Sequence, residues 1–311
     1  MRILHFLPDF VLPTRANAQW DCSGIDTAEL CLNPRHFEQY PYDVQYHFNS
    51  RGYRDQEWPE SESELQSAIW CVGDSFTVGL GSAVEHTWPR LLQQQTGRRC
   101  INVSLDGASN DWIARKVCAI LDTVAPDTVV IHWSYWHRRE APTQELLEYL
   151  SEQAWPDFYA AIKGPDWPPC DTWDQVWTLP DPIKQEIKRH WVEPEIADED
   201  LFFFSSDERR RSDAFVVDDQ ANLKHITHCI DRVQAANKHT KIIHSFIPEF
   251  TDQDLYRKRA ESVDKLTHLV NSVARGIDYV PYFAKLDLAR DGHHYDQITA
   301  EYFVQQLLVK L

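Results

Sequence analysis

Short apolar runs alternate along this chain with segments whose apolar residues recur every three to four positions. The runs are IWCVG (69–73), CINVSL (100–105), DTVVIHWS (127–134), KIIHSFI (241–247) and IDYVPY (277–282). Each is short and nearly continuous, the pattern of a strand covered on both faces. Between them, Trp88, Leu91 and Leu92 stand at helical spacing, with Pro89 in the first turn and Gly97 as the stop. Ile113, Val117, Ile120, Leu121 and Val124 mark a second helix, for which Ser109 is an N-cap. Leu223, Ile226, Ile230 and Val233 line a third; Val263, Leu266, Val270 and Val273 a fourth. Ala300, Phe303, Val304, Leu307 and Leu308 form one side of a closing helix. The alternation predicts a three-layer α/β/α doubly wound (flavodoxin-like) domain with a five-stranded parallel sheet and right-handed crossovers.

Residues 141–213 interrupt the pattern. Five tryptophans fall in this stretch, among them Trp155, Trp167 and Trp173, and prolines are frequent. It reads as a cap-like insertion over the carboxyl ends of the strands. Its tryptophans can pack the insertion itself or offer Trp155, Trp167 and Trp173 as stacking platforms for substrate. Residues 1–65 precede the first strand, look irregular, and are expected to form an N-terminal extension packed on a 66–311 domain. No internal repeat is found.

The length, 311 residues, suffices for a substantial core. The net charge of −17 argues against a nucleic-acid partner and against docking on anionic membranes. Residues 141–210 carry 16 Asp+Glu against 6 Lys+Arg, so a substrate bordering them is expected not to be strongly anionic. The seven cysteines lack C-x-x-C spacing, which suits reduced, buried thiols. No apolar run is long enough for a transmembrane helix. His5, Pro8 and Asp9 break the apolar start, so a cytoplasmic chain is expected rather than a secreted one.

Sites in doubly wound sheets form beyond the carboxyl ends of the strands. Ser75 follows the first strand in GDSFTVGLG, where Gly79 and Gly81 are expected to leave the turn flexible. Gly107, in DGASND after the second strand, lets backbone approach a ligand. In DGHHYD, before the last helix, Asp291 and His294 are three residues apart. A carboxylate so placed can receive Nδ1–H of the histidine and leave Nε2 as a base. Adjacent histidines can equally be surface residues or metal ligands, and His293 is read as exposed or bonded to its loop. His225, His228 and Cys229 could hold a metal but are read as a polar helix face.

Taken in order, GDSFTVG, the glycine after the second strand and D-x-x-H near the end resemble the SGNH (GDSL-type) hydrolase family. FNSRGYRDQEW (48–58) is similar to a segment preceding the nucleophile strand in some members. The resemblance covers residues 48–140 and 214–311 and leaves the insertion unexplained. It implies Ser75 as nucleophile, His294 as general base, Asp291 as its orienting partner, and an oxyanion hole from the N–H groups of Ser75 and Gly107. The family's G-x-N-D after the third strand is missing; VVIHWSYWH puts Trp136 at the asparagine. Trp136, His137, Arg138 or Asn110 could supply the third donor. The implied activity is that of a serine esterase acting through an acyl-enzyme on an O-acyl, first of all O-acetyl, ester of a small molecule or carbohydrate. It needs no metal or organic cofactor. A sugar O-acyltransferase and a non-catalytic carbohydrate-binding or particle-associated protein are the competing readings. The oligomeric state stays open.

Overall fold

The computed structural model describes residues 10–136, 138–141, 154–190, 202–205, 219–248, 270–274 and 276–311. The chain divides into two compact units, Met1–Glu140 with Phe203–Leu311, and Ala141–Phe202.

The first unit is built on β1 (Ile69–Gly73), β2 (Cys100–Ser104), β3 (Thr128–Trp133) and β4 (Lys241–Phe246). All pair in parallel, in the spatial order β2-β1-β3-β4. Because side chains alternate along a strand, each strand feeds two cores. Trp70, Val72, Ile101, Val103, Val129 and Ile131 face one. Ile69, Cys71, Cys100, Val130 and Ile243 face the other. The first layer is covered by α3 (Asn110–Thr123) and α4 (Asp219–Ala236), the second by α2 (Trp88–Thr96) and α5 (Gln297–Lys310). A fully buried Trp or Leu here is worth roughly 1.5–3 kcal/mol over its exposed state. The helix ends carry the expected signals. Ser109 Oγ accepts from Trp112 N–H, and Gly97 closes α2 at φ +67°.

The fifth strand is a correction. Segment 277–282 joins the sheet through a single parallel bridge, Tyr279 opposite His244. His244 N–H donates to Asp278 C=O at 2.9 Å, and Val280 N–H to His244 C=O at 2.8 Å. Among the described residues this pairing has one rung. The bridge lies beyond β4, in flavodoxin-like order. Of the helix expected through Val263 and Leu266, only Val270 and Val273 fall within the described residues.

Residues 10–67 are less irregular than expected. Helices Pro34–Gln39 and Glu62–Ser67 lie among them. Phe10, Leu12, Tyr53 and Trp58 join the core that contains Trp70.

The second unit has its own small core of Trp155, Tyr159, Cys170, Val176, Leu179 and Ile187. Trp155 is fully buried, stacks on Tyr159, and donates its indole N–H to Cys170 C=O at 2.8 Å. That rules it out as an exposed platform: a large apolar ring with one satisfied donor is core material for so small a unit. Trp167 is half-buried against the same cluster. The side chain of Trp173 lies outside the described part.

Candidate active site

Ser75 opens α1, Ser75–Val78, which starts directly after β1. Asp74 caps it: Oδ1 accepts from Phe76 N–H at 3.0 Å. Gly79 ends it at φ +75°, and Gly81 follows at +73°. The expectation of flexibility fails here. A Cβ on Gly81 would meet the Ala289 Cβ at 2.9 Å, so the glycine marks a close backbone approach.

Arg54 fixes the turn from the other side. It comes from FNSRGYRDQEW and is 3% exposed. Its guanidinium donates to Gly79 C=O at 2.5 Å, Ser82 C=O at 2.9 Å, Gln45 C=O at 3.0 Å and Val78 C=O at 3.3 Å. Burial lowers its pKa to about 10, which still leaves it charged near neutrality. Gly81 N–H donates to Tyr46 Oη at 2.8 Å, and Tyr46 in turn to Asp26 Oδ2 at 2.6 Å. Asp26 also takes the Arg290 guanidinium at 2.7 Å. Arg290 N–H closes onto Gly81 C=O at 2.9 Å. The Ser75 turn and the loop of Asp291 are thus zipped together through residues 26–54.

That zipper brings three side chains into line. Ser75 Oγ lies 2.8 Å from His294 Nε2, and His294 Nδ1 lies 2.5 Å from Asp291 Oδ2. Asp291 Oδ1 accepts the N–H groups of His293 and His294 at 2.8 and 2.9 Å. Burial acts to raise the Asp291 carboxyl, but the His294 imidazole and the two N–H groups outweigh it and hold the pKa below its usual value. The carboxylate therefore stays ionised and fixes the tautomer with Nε2 free to accept a proton. Phe76 packs at 4.5 Å on the His294 ring. Among the described residues no acceptor takes the N–H of Ser75 or of Gly107, whose φ is +77°.

The other sequence candidates are placed differently. Trp136 packs against Phe246 at 5.9 Å, toward the α3/α4 core rather than on the triad. An apolar indole gains more there than at a polar turn. Asn110 is fully buried and accepts Ser134 N–H at 3.0 Å while donating to Tyr135 C=O at 2.9 Å. Its amide clamps the segment after β3. His137 lies outside the described residues. His293 is buried, not exposed, and bonds Tyr135 Oη through Nε2 at 3.3 Å.

Two features were missed in the sequence. Asp74 Oδ2 accepts Ser134 Oγ–H at 2.5 Å and lies 3.5 Å from Arg138 Nη1, so the residue before Ser75 anchors the segment after β3. Burial pushes the Asp74 carboxyl up, against the pull of Arg138 and Ser134. Arg54 was quoted only as part of a motif. Buried arginines are rare, and that rarity was the available signal.

No family model matches the sequence, and no curated protein sequence matches it. Several solved structures are similar to this chain over most of its length. TesA is 13% identical, covering 79% of this chain and 98% of its own, with a TM-score of 0.43. The family 3 carbohydrate esterase of Clostridium thermocellum is 12% identical, covering 78% and 94%, at 0.39. A lipase/acylhydrolase from Enterococcus faecalis is 12% identical, covering 78% and 94%, at 0.38. At such identities and TM-scores the likeness carries no argument about chemistry here.

Proposed function

We propose that this chain is a serine esterase of the SGNH type. The observation that carries the reading is the unbroken line Ser75 Oγ–His294 Nε2, His294 Nδ1–Asp291 Oδ2, at 2.8 and 2.5 Å. Both separations are those of a poised nucleophile and base. Ser75 Oγ attacks the ester carbonyl as its proton passes to His294 Nε2. The N–H groups of Ser75 and Gly107 receive the oxyanion, each such donor being worth roughly 10²–10³ in rate. Collapse of the tetrahedral intermediate expels the alcohol, which takes the proton from His294. Water, deprotonated by the same histidine, then releases the acid and restores Ser75.

Within that chemistry we favour an O-acetyl or other O-acyl ester on a neutral carbohydrate. The support is the chain's net charge of −17, which disfavours an anionic alcohol. A fluorophosphonate probe tests the nucleophile. Wild type should label stoichiometrically, and Ser75→Ala not at all. Acetate release without an added alcohol acceptor identifies a hydrolase rather than an acyltransferase. No labelling of the folded wild type would refute the esterase.

A further inference from the structure

Asp111, the second residue of α3, meets His225 and Cys229, one turn apart on α4, where the two helices pack. His225 Nε2 lies 3.1 Å from Asp111 Oδ2 and 3.8 Å from Cys229 Sγ. All three donor atoms lie within 4.8 Å of one another. Cys229 is buried and the other two are half-buried, so the cluster sits just below the surface. His228, grouped with the other two by sequence, is exposed, and Asp111 takes its place from 114 residues earlier.

A tetrahedral zinc ion bonds nitrogen and oxygen at about 2.0 Å and sulfur at about 2.3 Å, which sets N···O near ~3.3 Å and N···S near ~3.6 Å. The observed separations match these to within about 0.3 Å. A carboxylate, an imidazole and a thiolate are also the mixed hard and soft donors that suit this ion. We propose that Asp111, His225 and Cys229 bind one zinc ion, with water as fourth ligand. On binding, the Cys229 thiol forms the Zn–S bond and loses its proton to solvent, so affinity falls as pH falls. The ion ties α3 to α4 beside Asn110, whose amide holds Ser134 and Tyr135. The site does not depend on the esterase reading.

The test uses the full chain, reduced and stripped with a chelator, then titrated with zinc against a chromophoric competitor and with cobalt by absorption. Wild type and Ser75→Ala should each bind one equivalent, with a sulfur-to-cobalt charge-transfer band and a higher Tm in zinc. Cys229→Ser should lose the band. His225→Gln and Asp111→Asn should each weaken zinc binding about tenfold or more. Circular dichroism checks that each variant folds, and Asp111→Asn, half-exposed and isosteric, keeps the test decisive if the others do not. Absence of stoichiometric binding by wild type, or a band that survives Cys229→Ser, overturns the proposal.

Discussion

Two segments leave the carboxyl edge of the sheet side by side, and they are held by different means. The turn after β1, Ser75–Ser82, is fixed through its backbone: two left-handed glycines, three carbonyls on Arg54, and the Gly81–Arg290 contact. The segment after β3, Ser134–Arg138, is fixed through side chains: Ser134 and Arg138 on Asp74, the Asn110 amide, and Tyr135 on His293. Backbone fixation leaves Ser75 little freedom, because few conformers satisfy it. Side-chain fixation can be rebuilt from other residues. Trp136 packs into the core, and the neighbouring polar groups hold the segment.

The sharpest way to test this difference is to cut one member of each assembly on the same loop. Asp291 belongs to the nucleophile side; His293, two residues on, reaches to Tyr135. Asp291→Asn keeps the shape but removes the charge that fixes the His294 tautomer. Its kcat should fall by about 10⁴. His293→Gln keeps a polar group facing Tyr135 and should cost less than about tenfold in kcat. Steady-state kinetics on one acetyl ester decide it. Equal losses would mean that both segments serve the nucleophile alike.

The clamps themselves come next. Arg54→Met removes a buried charge and strands the carbonyls of Gln45, Val78, Gly79 and Ser82. Urea unfolding should show a loss of about 3 kcal/mol or more. Asn110→Ala strands one N–H and one C=O and should cost about 1–2 kcal/mol. If Asn110→Ala proves the costlier, the side-chain clamp is the principal support of this edge and the contrast is reversed.

The same division explains what could be read from sequence. The line of Ser75, His294 and Asp291 was legible because Ser75 closes an apolar strand and the three-residue spacing of Asp291 and His294 lets them pair. Four strands were legible because burial on both faces writes a continuous apolar run; the fifth run has the composition but pairs with β4 through a single bridge. Asp74–Ser134–Arg138 and the joining of Asp111 to His225 and Cys229 were not legible. Their members meet only after the sheet has folded, and no spacing records a contact made by packing. The mistaken role for Trp155 has the same origin, since composition cannot tell a core tryptophan from a platform.

Acidification separates the two segments without mutation. Arg54 keeps its charge at any pH below about 10, so its clamp does not respond between pH 7.5 and 5.5. The end of β3 is built on neutral histidine. The His132 Nδ1–H group donates to Ser245 Oγ at 2.8 Å, since that hydroxyl donates on to Ile131 C=O at 2.9 Å. Its Nε2 takes the Tyr295 hydroxyl at 3.3 Å. The His244 Nδ1 accepts the Trp133 indole N–H at 3.0 Å. Burial lowers both pKa values to about 3, against roughly 6.5 in the unfolded chain. Below 6.5 the unfolded chain therefore binds more protons than the native one. This contribution is complete above that pH and is lost progressively toward pH 3. Between pH 7.5 and 5.5 the two histidines should together remove about 2.7 kcal/mol from the unfolding free energy measured in urea. Hydrogen exchange locates the effect: the Ser134 N–H, held by Asn110, should speed up on acidification, after correction for intrinsic rates, more than the Gly81 N–H held by Tyr46. Equal acceleration would mean that acid loosens the whole edge as one unit, and the two modes of fixation would then not be energetically separate.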